Sequence, residues 1–132
     1  MNDHPVYKIF LIDDDSFLLN MYSLKFGKSN FEVNSSQSGA EAITKLKGGY
    51  VPDIMLLDII MPSMDGLELL AEIRNQKLAP NATIIMLTNQ SDARDIERAK
   101  ELGVAGYIVK ATTIPSEVIS QVLDIHKKNG KV

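Results

Sequence analysis

A layered α/β fold with a five-stranded parallel sheet is what this sequence predicts, on three observations. Short apolar runs recur five times along the 132 residues, and a stretch with apolar side chains at helical spacing follows each one. No repeat, low-complexity tract or linker interrupts that alternation. Five β-α units in a row favour parallel strands with helices covering both faces of the sheet.

The first strand is read over Val6–Ile12. Its helix, Ser16–Phe26, carries apolar Phe17, Leu18, Met21, Tyr22 and Leu24, and Gly27 suits the position just past a helix end. A short second strand, Phe31–Val33, leads to a helix over Gly39–Lys47 with Ala42, Ile43 and Leu46 inward, stopped by Gly48-Gly49. The third strand is Asp53–Leu57, and its helix Leu67–Asn75 turns Leu67, Leu70 and Ile73 to the core. Thr83–Leu87 is an almost wholly apolar fourth strand. Ser91 caps a charge-rich fourth helix through Leu102, whose apolar stripe is only Ala93, Ile96 and Ala99. Gly106–Val109 is the fifth strand. The last helix spans Pro115–Lys128, with Pro115 in its first turn and Val118, Ile119, Val122 and Ile125 at core spacing.

Right-handed crossovers leave few ways to connect these units. The small solution is a flavodoxin-like (βα)5 three-layer sandwich with strand order 2-1-3-4-5. Residues 1–132 are read as one domain with a core over about 7–127, and no output domain is expected within them.

Composition narrows the function. A content of 45% hydrophobic and 23% charged residues is that of a globular protein. A net charge of -3 and a pI near 5.3 argue against direct nucleic-acid binding. The absence of cysteine excludes disulfides and thiolate metal sites. No signal peptide is visible, and no apolar stretch approaches the roughly 20 residues of a membrane span, so a cytoplasmic location without membrane contact is expected. His4 and His126 are read as solvated residues near the termini, and Met61 and Met64 as shaping the loop after Asp58.

In that strand order the first and third strands are neighbours, at the switch point where such folds place a ligand. Four loops leave the same sheet edge. They carry Asp13-Asp14-Asp15, Asp58, Thr88-Asn89 and Lys110. Several carboxylates at one point cannot all stay ionised without a cation, so a divalent metal is expected there. Carboxylates, a hard cation and a lysine together suit a phosphoryl group, and Asp58 is the nucleophile beside the metal. Each piece alone has a plainer explanation. A triple Asp makes a turn and a helix cap, Thr88 bonds nearby backbone, and Lys110 is a snorkelling surface amine. Occurrence at four successive strand ends is what those explanations leave unaccounted for.

The stretches Phe10-Leu11-Ile12-Asp13-Asp14-Asp15, Asp53–Asp58, Met61-Pro62-Ser63-Met64-Asp65-Gly66, Ile84–Thr88 and Gly106–Lys110 carry a further signal. On them the chain resembles the receiver domain of bacterial two-component response regulators, over about residues 7–127. The resemblance implies a cytoplasmic phosphoprotein of phosphorelay signalling. Asp58 matches the phosphoacceptor. Asp13 and Asp14 match the acidic pair that holds Mg2+, with Mn2+ or Ca2+ as substitutes, and the Ile60 carbonyl matches the main-chain ligand. Thr88 matches the switch hydroxyl, Lys110 its cationic partner, and Tyr107 the switch aromatic. Asp15 is read as the helix cap, and no organic cofactor is implied. The implied partners are a sensor histidine kinase or phosphotransfer protein, and a downstream protein or second copy at the face of the fourth helix, fifth strand and fifth helix.

Three positions depart from the family pattern. Ala111 follows Lys110 where proline after a cis bond is frequent, and a cis bond before a non-proline residue costs about 2.5–4 kcal/mol. Asn89 stands where a small residue is common, and Ile60 and Gln90 occupy the positions that tune dephosphorylation. Two rivals remain in view. A phosphatase of the haloacid dehalogenase type wants an acid two residues after its nucleophile, where this chain has Ile60. A phosphorylation-independent interaction module has no need of the intact acidic set.

Overall fold

Five parallel strands lie side by side in the order β2-β1-β3-β4-β5. The structure, a computed structural model, describes residues 4–88, 93–110 and 113–129. Its strands are β1 (Tyr7–Ile12), β2 (Phe31–Ser36), β3 (Ile54–Leu57), β4 (Thr83–Thr88) and β5 (Gly106–Val109). Its helices are α1 (Ser16–Lys28), α2 (Gly39–Lys47), α3 (Gly66–Asn75), α4 (Ala93–Glu101) and α5 (Pro115–Lys128). The expected α/β three-layer sandwich and its strand order are therefore observed. Asn89, Gln90, the Ser91 cap and the Lys110–Ala111 bond fall outside the described residues.

Alternation along each strand sends side chains to two cores. Phe10, Ile12, Met55, Leu57, Ile84 and Met86 pack under α2, α3 and α4. Ile9, Leu11, Ile54, Leu56, Ile85, Leu87 and Ile108 pack under α1 and α5. Register locks the layers together: Ile12 pairs with Ser36 on one side and Leu57 on the other, so β1 and β3 end level with each other. Truncating a fully buried strand residue such as Leu57 to Ala costs about 2–5 kcal/mol, through lost transfer energy and the cavity left behind.

Local expectations fail in a few instructive places. Gly27 is inside α1, not past its end. The helix closes at Ser29, and Asn30, with φ 66°, takes the left-handed turn that a short amide side chain tolerates. The buried face of α1 is Leu19, Tyr22 and Phe26, while Phe17 and Leu24 are 74% and 65% exposed. This helix is apolar on several sides, so spacing alone left its orientation open; Asp15 fixes it by accepting from the Phe17 and Leu18 amides. In α3 it is Leu69, with Leu70 and Ile73, that is fully buried, and Leu67 packs at the margin. β2 continues to Ser36 because the polar Asn34-Ser35-Ser36 segment pairs with Phe10–Ile12 of β1.

His126 overturns the solvated reading. It is 3% exposed, shares a 2.8 Å hydrogen bond between Nδ1 and Thr83 Oγ1, and meets the Tyr7 ring edge-on at 4.6 Å. Asn129 Nδ2 donates to the same threonine oxygen at 3.3 Å. The last turn of α5 is thus tied to the start of β4 by a buried hydroxyl. His4 is also engaged: its ring stacks on Tyr7 at 5.2 Å, and Nε2 donates to the Ser29 carbonyl at 2.8 Å.

α4 stands apart from this packing. Its charged side chains face outward and Ala99 is its one buried residue among those described. No described helix is long and apolar enough to cross a membrane.

Candidate functional site

Backbone hydrogen bonds place the acids before any side chain acts. The Asp58 N–H donates to the Ile12 carbonyl at 2.9 Å, and the Asp13 N–H to the Ser36 carbonyl at 3.2 Å. Both aspartates are therefore fixed one residue past adjacent strand ends. Asp13 divides its carboxylate: Oδ1 accepts from the Asp15 amide at 3.0 Å, and Oδ2 accepts from Lys110 Nζ at 3.0 Å. Asp15 is the α1 cap that the sequence predicted.

The loop after Asp58 is shaped by Gly66. Its N–H donates to the Ile59 carbonyl at 2.8 Å, and a Cβ there would collide with the Asp58 carbonyl and lie 2.9 Å from Ile59 Cα. Only glycine permits that approach. Asp65 then starts α3 with a capping box, accepting from the Glu68 amide at 2.8 Å while Glu68 Oε1 accepts from the Asp65 amide at 3.1 Å. Met61 is buried and Met64 lies against Gly39 at the start of α2.

The result is a cleft of about 270 Å3 lined by Asp13, Asp14, Asp15, Asp58, Ile60 and Lys110, with Leu18 at its side. Oxygens of Asp13, Asp14 and Asp58 all lie within 4.8 Å of one another. Lys110 Nζ is 3.6 Å from Asp58 Oδ1. Asp13 and Asp58 are buried, while Asp14 is exposed at the rim. Thr88, fully buried at the end of β4, and Tyr107, half-buried on β5 against the α3–α4 core, do not line the cleft. Ile60 is 54% exposed at the mouth.

This crowding sets the electrostatics. Burial, and then the Asp13 charge, push the Asp58 carboxyl up to about 6, against the pull of Lys110 and with a further push from Asp14. Lys110 is held above its ordinary value: burial opposes its charge, but Asp13 and then Asp58 more than offset that. One ammonium among four carboxylates leaves the cleft short of positive charge. Three hard oxygen donors converging from two loops suit a divalent cation of the Mg2+ class.

One contributor escaped the sequence reading. Gly66 was legible only as a turn former, since its contact with Asp58 depends on the folded loop.

An acidic cleft backed by a lysine, at the carboxyl edge of a parallel sheet, defines a phosphoacceptor signalling domain rather than a conventional enzyme. The chain belongs to the response regulator receiver domain family, whose model matches residues 9–122. It is 34% identical over 119 residues to the chemotaxis protein CheY of Halobacterium salinarum, covering 88% of this chain and 96% of that protein. It is also 34% identical over 116 residues to the transcriptional regulatory protein ResD of Bacillus subtilis, covering 87% of this chain and 46% of that one. Among solved structures, the chemotaxis protein CheY4 of Vibrio cholerae matches with a TM-score of 0.83 and 25% identity, over 91% of this chain and 98% of that chain. The chain spans about half or less of the length of the transcriptional regulators it resembles.

Proposed function

We propose that Asp58 accepts a phosphoryl group from a histidine kinase or phosphotransfer protein, and that the modified domain then engages a downstream partner or a second copy of itself. The observation that carries this is the position of Asp58: buried at the base of an open cleft, 3.6 Å from an ammonium and flanked by two further carboxylates.

In this reading a carboxylate oxygen of Asp58 attacks phosphorus. An acyl phosphate bond forms as the bond from phosphorus to the donor's imidazole nitrogen breaks, and the electron pair leaves with the imidazole. Mg2+ held by Asp13, Asp14, Asp58 and the Ile60 carbonyl would supply the charge that neutralises the acids and the transferred group. Lys110, already positioned by Asp13, pairs with a phosphoryl oxygen. The Thr88 hydroxyl turns toward another, and Tyr107 follows it inward on the adjacent strand. Because Ala99 alone is buried on α4, that helix is the weakly held element that such a change can displace. The α4-β5-α5 face is then the output surface. Ile60 puts no acid where a haloacid-dehalogenase-type phosphatase needs its second carboxylate, which disfavours turnover of small phosphate esters.

Incubation with acetyl phosphate and Mg2+, followed by intact mass measurement, tests the assignment. The parent protein should gain the mass of one phosphoryl group and Asp58→Ala should gain none. A parent protein that stays unmodified would sink it.

A further inference from the structure

Helix α1 turns two of its larger apolar side chains away from the core. Phe17 and Leu24 are 74% and 65% exposed, on the side opposite the buried Leu19, Tyr22 and Phe26. Seven residues apart, they stand two turns, about 10.5 Å, from each other on one face. Half-buried Met21 and exposed Asn20 lie between them. Single apolar residues at a surface are ordinary, but a Phe-Met-Leu stripe along one helix is a patch.

Gly27 is a second, independent observation on the same helix. It is exposed, and a Cβ built on it would meet nothing within 4 Å. Its φ is not positive, so the backbone does not require glycine either. Glycine weakens a helix interior, and no described residue calls for it here. The close approach of another helix to this face does.

The two ends of the face are opposite in charge. Asp14 and Asp15 are exposed at its start, Lys25 and Lys28 occupy the last turn, and the helix itself contains no acid. A two-fold interface needs one patch complementary to itself. Laid antiparallel on its own copy, α1 meets that condition. Each Phe17 comes opposite the other copy's Leu24, each basic end reaches an acidic end, and Asn20 and Met21 fall beside the two-fold axis. A parallel pairing would set acid against acid and base against base. An unrelated helix would have to bring both the stripe and the charges in this order, which a second copy brings by construction.

We propose that the outer face of α1 is a self-association surface, on which a second copy of this chain packs its own α1 antiparallel. α1 and α4 cover opposite faces of the sheet, so pairing through α1 leaves α4 clear. The inference does not depend on Asp58 accepting a phosphoryl group.

Sedimentation equilibrium up to about 1 mM protein covers the weak range expected of a small interface. The mass should rise from 14.6 kDa toward twice that value, and added salt should weaken the rise. Phe17→Glu and Leu24→Glu alter only exposed positions, so each should keep the parent's thermal midpoint while weakening the dimer about tenfold or more. The chain has no cysteine, so a single introduced thiol reports its neighbours. With a short bis-maleimide, Asn20→Cys should couple into a dimer, whereas Glu97→Cys on α4 should stay monomeric. A parent that stays monomeric throughout would overturn the inference, even if another protein bound this face. So would a dimer indifferent to both α1 variants, or one that couples through Glu97→Cys and not through Asn20→Cys. Should the α1 variants fold poorly, the two coupling reactions decide alone.

Discussion

Replacing Asp58 by Asn in the metal-free protein should make the fold more stable at neutral pH. The carboxyl is pushed from its ordinary 3.8 up to about 6, first by burial and then by Asp13. Between those two pH values the native state keeps a proton that the unfolded chain has released. Stability therefore falls as pH rises through this window, and the full penalty is present above pH 6. A rise of this size corresponds to about 3 kcal/mol without screening. The cleft opens to solvent, which brings the expected gain of Asp58→Asn to about 1–2 kcal/mol. For a chain of this size that is about 3–8 °C in thermal midpoint. Thermal and urea denaturation of both proteins in EDTA, from pH 4 to pH 8, would measure it. The variant should be ahead above pH 6 and level near pH 4. Saturating Mg2+ at pH 7.5 should reverse the order, because binding to the native parent stabilises it by mass action and the variant has lost a ligand. Equal stability at both pH extremes without metal would refute the idea that Asp58 is held at electrostatic cost.

Gly66→Ala should destabilise the protein by about 1–3 kcal/mol and suppress phosphorylation, since the added methyl strikes the Asp58 backbone; urea midpoints and intact mass measure the two effects. Thr83→Val keeps the shape at the opposite sheet edge but removes the oxygen shared by His126 and Asn129. A loss of about 1–3 kcal/mol is expected, with phosphorylation by acetyl phosphate unchanged, and the same two assays separate this remote lesion from one in the cleft.

Strand order and the convergence of Asp13, Asp14, Asp58 and Lys110 were legible in the sequence because they follow from connectivity. Right-handed crossovers place the first and third strands together, and the acids stand at their ends. What depended on tertiary contact was less legible. His126 looked like a terminal surface residue, since nothing in the local sequence announces that Thr83, on a distant strand, supplies its buried partner. The facing of α1 was ambiguous because Phe17 and Leu24 are as apolar as Leu19 and Phe26, and the Asp15 cap decided it. Asn34-Ser35-Ser36 has the composition of a loop, yet pairing with Phe10–Ile12 makes it strand. Gly27 and Asn30 show the same limit in miniature: the left-handed turn fell to the asparagine once α1 ran past the glycine.

The ion pair between Lys110 and Asp13 joins residues 97 positions apart in the chain. A contact that remote is slow to form, because the intervening chain must be ordered first. Until β5 docks, the three aspartates face one another without their cation, so the cleft is expected among the last parts of the molecule to assemble. Anything that binds there would then act on the way out of the native state and not on the way in. In a denaturant-jump experiment Mg2+ should slow the unfolding arm and leave the refolding arm nearly unmoved. The cleft edge of the sheet would thereby gain lifetime without any change in how quickly the protein first becomes folded.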